Sequence, residues 1–133
     1  MATDNRPLSP HLQIYKPQLT SVLSITHRGT GVFLTAGAFF LTYWLLALAS
    51  GPEQFENLQT HISNWYGQCI LYAFVFSLYF HLCNGIRHLF WDVGLGLEID
   101  TAYKTGYAVV AGTIILTLLT LCLAIYLAAG DVA

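Results

Sequence analysis

The chain has 133 residues, of which 56% are hydrophobic, 14% aromatic and only 9% charged, with a formal net charge of −2. That balance is too apolar and too poor in charge for an ordinary soluble domain, and it places the chain in a lipid bilayer. No nucleic-acid partner is expected of it.

Residues 1–21, "MATDNRPLSPHLQIYKPQLTS", are polar and punctuated by proline. They lack the apolar core of a cleavable signal peptide and are too poor in basic residues for an Arg-rich transit peptide, so the chain is expected to insert as synthesised. Proline restricts its neighbours, which predicts an extended stretch around "RPLSP" and then a short helix lying on the inner membrane face.

Three windows without Asp, Glu, Lys or Arg follow, Gly29 to Pro52, Asn57 to Ile86 and Thr105 to Gly130. Each exceeds the roughly 20 residues an α-helix needs to cross about 30 Å of hydrocarbon. Transmembrane helices are therefore predicted over about 26–50, 62–90 and 105–129, in one membrane domain spanning residues 1–133. A β-barrel would show alternating segments of about 10 residues, whereas "VVAGTIILTLLTLCLAIYLAA" is continuously apolar. All four prolines (Pro7, Pro10, Pro17 and Pro52) lie outside the spans, as helices in lipid require, and the glycines within them are read as close-packing positions.

The five cations, Arg6, Lys16, Arg28, Arg87 and Lys104, precede the first span or surround the connection between the second and third. The first loop, "SGPEQFENLQTHISN", has none. The positive-inside rule puts the N-terminus and the second loop on the inner side. Cys69, Cys83 and Cys122 lack metal-type spacing and read as small packing residues, and the Tyr and Trp near span ends read as an interfacial belt.

His81 lies six residues before Arg87 in the second span, about 9 Å deeper at 1.5 Å per residue. An ionisable group at that depth is rare and usually functional; the structural alternative is a neutral imidazole bonded to another helix. Gly85, at i+4, removes bulk on the same stripe, and His88 and Asp92 continue it towards the inner surface. A flat ligand fits such a face. Haem is the flat ligand most at home between helices, with an imidazole on its iron and cations for its propionates, for which His27, Arg28 and His88 are candidates. A six-coordinate haem needs two axial ligands, but His11 lies outside the spans and His61 near the opposite surface. The second ligand is therefore expected from another subunit.

Ser24, His27, Arg28 and Gly31 share one face of the first span. A hydroxyl beside a guanidinium at the inner mouth suits either a haem propionate or a quinone head group. Anchoring of Arg28 to inner-leaflet phosphates is the plainer alternative.

The stretches "RPLSPHLQIYKPQLTSVLSITHRGTG" and "HLCNGIRHLFWDVG" resemble the family of cytochrome b556 subunits of succinate dehydrogenase, the larger of that enzyme's two membrane anchors. The carrying motifs are S-x-x-H-R-x-[ST]-G at the first span and H-x-x-x-G-x-R-H-x-x-x-D at the end of the second, and the resemblance covers nearly the whole chain. It implies an all-α membrane-anchor domain of three transmembrane helices, N-terminus inside, bundled with a second, smaller anchor subunit. It further implies that His81 is the axial ligand of the iron of a haem b shared with that subunit, and that His27, Arg28 and His88 lie on its propionate side. Ser24 and Arg28 match the ubiquinone-site pair.

The remaining implied partners are an iron–sulfur subunit and a flavoprotein subunit, with ubiquinone as substrate. The chain itself has no flavin or iron–sulfur motif, so the resemblance implies a non-flavin subunit of succinate dehydrogenase (quinone) that is not catalytic alone. The "RPLSPHLQIY" leader resembles the alphaproteobacterial and mitochondrial branch, and the absence of a transit peptide favours a bacterial inner (cytoplasmic) membrane over a mitochondrial one. Two alternatives stand beside this reading. One is a fumarate reductase anchor using menaquinol, whose di-haem form needs four axial histidines that this chain lacks. The other is a non-catalytic assembly or transport protein, which would need more polar residues along its spans.

Overall fold

The computed structural model describes residues 16–130, so the "RPLSP" stretch, His11 and residues 131–133 lie outside the described residues. Four helices follow one another: α1 (Leu19–Ser50), α2 (Pro52–Ser63), α3 (Trp65–Asp92) and α4 (Ile99–Gly130). There is no strand among the described residues. α1, α3 and α4 are long and apolar enough to cross a membrane. α1 starts at Leu19, so residues 19–21 of the expected surface segment already belong to the first span helix.

The helix ends follow from local chemistry. α1 stops where Gly51 takes φ 118°, a left-handed conformation that L side chains rarely adopt, and Pro52, with no N–H, opens the next helix at its first position. The connection expected as a loop is thus a 12-residue helix. Its apolar Phe55, Leu58 and Ile62 recur at spacings of three and four and are half-buried, with Phe55 edge-on to Trp44 of α1. Asn64 is extended and breaks the chain between α2 and α3, its amide donating to the Thr60 carbonyl at 2.8 Å, which is why α3 begins at Trp65. α3 ends in a Schellman motif: Gly94, at φ 78°, donates to the Trp91 carbonyl and Leu95 N to the Phe90 carbonyl, each at 2.9 Å. Trp91 Nε1 then donates to the Gly96 carbonyl at 3.1 Å and ties the turn back onto α3.

α3 runs antiparallel between α1 and α4, and the three meet around Leu23, Phe80 and Val109. The distribution of polarity is the reverse of a water-soluble domain. Ile25, Phe39 and Ile125 are at least 70% exposed, while Thr30, Ser77, Asn84, Arg87 and Thr113 are buried. Lipid solvates the apolar exterior, so burying apolar area adds little association energy in a bilayer; close packing and hydrogen bonds between helices hold the bundle instead. Tyr79 and Thr120 join α3 to α4 through hydroxyls 2.6 Å apart. Between α1 and α3 a Cβ on Gly37 would fall on the Phe74 ring, so the ring lies against α1 where it does only because that position is glycine.

Candidate functional site

The up-and-down order brings the start of α1, the end of α3 and the start of α4 to one end of the molecule. Within α1, residues three and four apart share a face, which turns His27, Thr30 and Gly31 towards α3. On α3 the same spacing aligns His81, Asn84 and Gly85, and His88. The two faces meet ring on ring. The His27 and His81 imidazoles stack with centroids 3.9 Å apart and planes 10° from parallel, and the His88 ring is tilted against His27 at 5.1 Å.

His81 is held by backbone as well as side chains. Its Nδ1 lies 3.1 Å from the His27 carbonyl oxygen and 3.2 Å from Thr30 Oγ1, and the Thr30 hydroxyl donates to the same carbonyl at 2.9 Å. A carbonyl can only accept, so the bond from Nδ1 requires the proton on that nitrogen and leaves a lone pair on Nε2. A Cβ added at Gly31 would stand 3.1 Å from His81 Cε1, tighter than ordinary packing allows, whereas one at Gly85 would meet only His27 Cε1 at 3.8 Å. Room for the His81 ring therefore comes from Gly31 across the seam, while Gly85, expected to remove bulk on the His81 stripe, faces the edge of His27 at ordinary contact distance. His27 Nδ1 is buried without a hydrogen-bond partner among the described residues.

The structure thus brings together three sequence-predicted residues, His27, His81 and His88. The other pair lies on the same turns of α1 but faces outward: Arg28 Nη2 donates to Ser24 Oγ at 3.4 Å, with Arg28 exposed. His61 sits at the far end of the molecule, its Nδ1 2.7 Å from the Tyr66 hydroxyl. Among the described residues no three His, Cys, Asp or Glu side chains gather into a metal-binding set. Stacked imidazoles explain why the His cluster is not one: their lone pairs lie in the ring planes and run side by side instead of converging on an ion.

Sequence reasoning missed a second polar cluster beside the first. Arg87 is 5% exposed and Asn84 fully buried. The guanidinium donates from Nη2 to the Ala102 carbonyl at 2.8 Å, from Nε to Thr105 Oγ1 at 3.1 Å and from Nη1 to Asn84 Oδ1 at 3.4 Å, and lies 3.9 Å over the Trp91 ring. All of these partners are neutral. Trp91 in turn meets His88 edge to face at 5.2 Å, so the clamp on α4 continues into the imidazole cluster. The available signal was Asn84 at i−3 of a deep arginine on α3; its meaning depends on α4 carrying an acceptor opposite.

Most of the chain resembles known proteins as well. Residues 2–120 match the family model described as the succinate dehydrogenase/fumarate reductase transmembrane subunit. The chain belongs to that family. A succinate dehydrogenase cytochrome b556 subunit of Paracoccus denitrificans is 44% identical over 88% of this chain and 90% of its own length. The subunit of the same name from Rickettsia prowazekii is 45% identical over 87% of this chain and 90% of its own length. A mitochondrial succinate dehydrogenase cytochrome b560 subunit of Homo sapiens is 42% identical over 84% of this chain and 67% of its own length. The chain is accordingly a membrane subunit of the succinate dehydrogenase type, related to both bacterial and mitochondrial members.

Proposed function

We propose that this chain is the cytochrome b anchor of a succinate:ubiquinone oxidoreductase, holding haem b jointly with a second, smaller anchor subunit and forming part of the ubiquinone-reduction site. The observation that carries the reading is the bonding of His81: Nδ1 is occupied by the His27 carbonyl, and Nε2 has no hydrogen-bond partner among the described residues. A metal-ligating histidine needs this arrangement, one nitrogen bonded to fix ring and tautomer and the other free for the metal. His81 is the one deep histidine on the described helices, so a single haem would be held by His81 from this chain and by a second ligand from the partner anchor. His27 and His88 in the cluster, with Arg28 beside them on the outward face of the same turn of α1, are the candidates to meet propionates. Bound there, haem supplies a one-electron redox centre, while the flavin and iron–sulfur chemistry belongs to the two other partner subunits.

For the quinone, Ser24 and Arg28 supply the polar contacts. Arg28 donates to Ser24 Oγ, which fixes the serine oxygen as an acceptor towards the guanidinium and leaves its proton to be donated to a quinone carbonyl. The positive charge behind that hydroxyl strengthens the bond as negative charge builds on the carbonyl oxygen, a preorganised electrostatic stabilisation. The head group enters from the lipid at the end of the bundle where Lys16, Arg28, Arg87 and Lys104 gather. By the positive-inside rule those cations favour the inner side of the membrane for that end.

Ser24→Ala in the assembled complex tests the quinone assignment, because it removes a hydroxyl and no charge. The expected loss is about 1 to 3 kcal/mol of stabilisation, several-fold or more in succinate–quinone reduction. Reduction of a dye that accepts electrons upstream should persist, and so should haem content. A Ser24→Ala complex that lost haem but reduced quinone at the full rate would exchange the two ligands on this face of α1.

A further inference from the structure

We infer that Thr30 is a positioning residue for His81: its hydroxyl and the His27 carbonyl together hold the Nδ1 proton and so aim the Nε2 lone pair at the haem iron. The inference rests on the proposed role of His81 as an iron ligand. Three distances define a closed triangle, 3.1 Å from Nδ1 to the carbonyl, 3.2 Å from Nδ1 to Oγ1 and 2.9 Å from Oγ1 to the carbonyl. A hydroxyl has one proton, and Thr30 gives it to the carbonyl. Only lone pairs then face Nδ1, so both oxygens accept from the imidazole and its N–H is shared between them. The opposite arrangement, Thr30 donating to a bare Nδ1, would set the Nδ1 lone pair against the carbonyl oxygen and put the ring proton on Nε2.

One turn of α1 thereby fixes every freedom of the ring. The His27 carbonyl and Thr30 Oγ1 fix its edge, the His27 imidazole covers its face at 3.9 Å, and Gly31 admits Cε1 where any Cβ would crowd it. Thr30 is itself buried, and its bond to the carbonyl three residues back holds its own rotamer. Hydrogen bonds from the distal nitrogen raise the basicity of a metal-bound imidazole and favour the higher oxidation state of the iron. Thr30 therefore contributes to a low haem potential as well as to ring orientation.

The test uses the assembled complex carrying Thr30→Val, which keeps shape and removes the hydroxyl, and Thr30→Ser, which keeps the hydroxyl. Redox titration of the b-haem band and its low-spin electron paramagnetic resonance signal are read together with haem stoichiometry. The expected result is an upward shift of midpoint potential and a changed signal in Thr30→Val at full haem stoichiometry, with Thr30→Ser at the wild-type values. An unchanged potential and signal in Thr30→Val would overturn the inference. So would a downward shift, which would mean that the hydroxyl competes with the imidazole for the carbonyl. If Thr30→Val does not assemble, Thr30→Ala carries the same expectation, and failure of both to assemble would assign Thr30 to folding alone and overturn it too. His81→Leu in parallel separates the two claims: an unchanged haem spectrum there removes the reading of His81 itself, whereas loss of haem there with a silent Thr30→Val removes only the role of Thr30.

Discussion

The seam between α1 and α3 is held in two different ways along its length. At the His27 end the contacts are polar and directional, with His27 stacked on His81 and His81 Nδ1 tied to the His27 carbonyl, and beside them Arg87 clamps α3 to α4. Towards the Trp44 end they are apolar, with the Phe33 and Phe74 rings 6.2 Å apart, Phe74 against Gly37, and Trp44 against Phe55 of α2. Apolar contacts in lipid can be exchanged for others of similar volume, whereas the hydrogen bonds at the His27 end join specific atoms that would be stranded by their loss, beside two buried nitrogens, His27 Nδ1 and Asn84 Nδ2, that have no partner among the described residues. Specificity is concentrated at one end of the bundle, and packing supplies the other.

Substitutions at the two ends should therefore differ in kind. The largest effect is expected for Arg87→Leu, which leaves buried Asn84 Oδ1 without its donor, removes the guanidinium bonds to the Ala102 carbonyl and Thr105 Oγ1, and uncovers the Trp91 ring. A loss of about 2 to 4 kcal/mol is expected, about 1 to 3 kcal/mol from the unmet amide oxygen and the rest from the lost bonds, partly offset by removal of a buried charge. Thermal stability of the detergent-solubilised complex reads it, and a melting point within error of wild type would show the clamp to be idle. Arg87→Lys should recover little, because an ammonium has neither the planar fork nor the flat face that lies on Trp91.

Gly31→Ala comes next. The new methyl would stand 3.1 Å from His81 Cε1 and push the ring off the carbonyl, at a cost of about 1 to 3 kcal/mol typical of overpacking. Its mark should be spectral, a shifted or depleted b-type haem band, with stability falling less than in Arg87→Leu. An unaltered band would contradict the tight fit at this point.

Gly37→Ala is the smallest of the three and the control for the apolar end. The clash is with the far edge of a half-buried phenyl ring that can swing aside, so the expected cost is about 1 kcal/mol, relieved by adding Phe74→Leu. The haem spectrum should not change. A spectral change from Gly37→Ala would mean that the two ends of the seam are coupled rather than separate.

Much of this architecture is legible in the residues because the membrane imposes simple rules. Charge-free stretches of more than about 20 residues must be spans, and the depth of His81 within one of them marks it for function. Other features were hidden because they depend on which helix faces meet. Thr30 reads as an ordinary helical threonine until the His81 ring is placed beside it, and Gly31, across the seam, had no reason to be preferred to Gly85 on the ligand's own helix. Arg87 looks like one more interfacial cation until α4 brings Ala102 and Thr105 against it. α2 was obscured for a different reason: a polar stretch between two spans reads as a loop, although Pro52 following Gly51 and the spacing of Phe55, Leu58 and Ile62 carried the pattern of a short amphipathic helix.

The central claim, that His81 presents Nε2 to a haem b, is tested most directly by the reduced-minus-oxidised absorption spectrum of the purified complex, wild type against His81→Leu. The wild-type complex should show a reducible b-type haem band in proportion to its flavin. In His81→Leu that band should be lost or altered while flavin and iron–sulfur contents remain. A His81→Leu complex with an unchanged low-spin haem band at full stoichiometry would contradict the account.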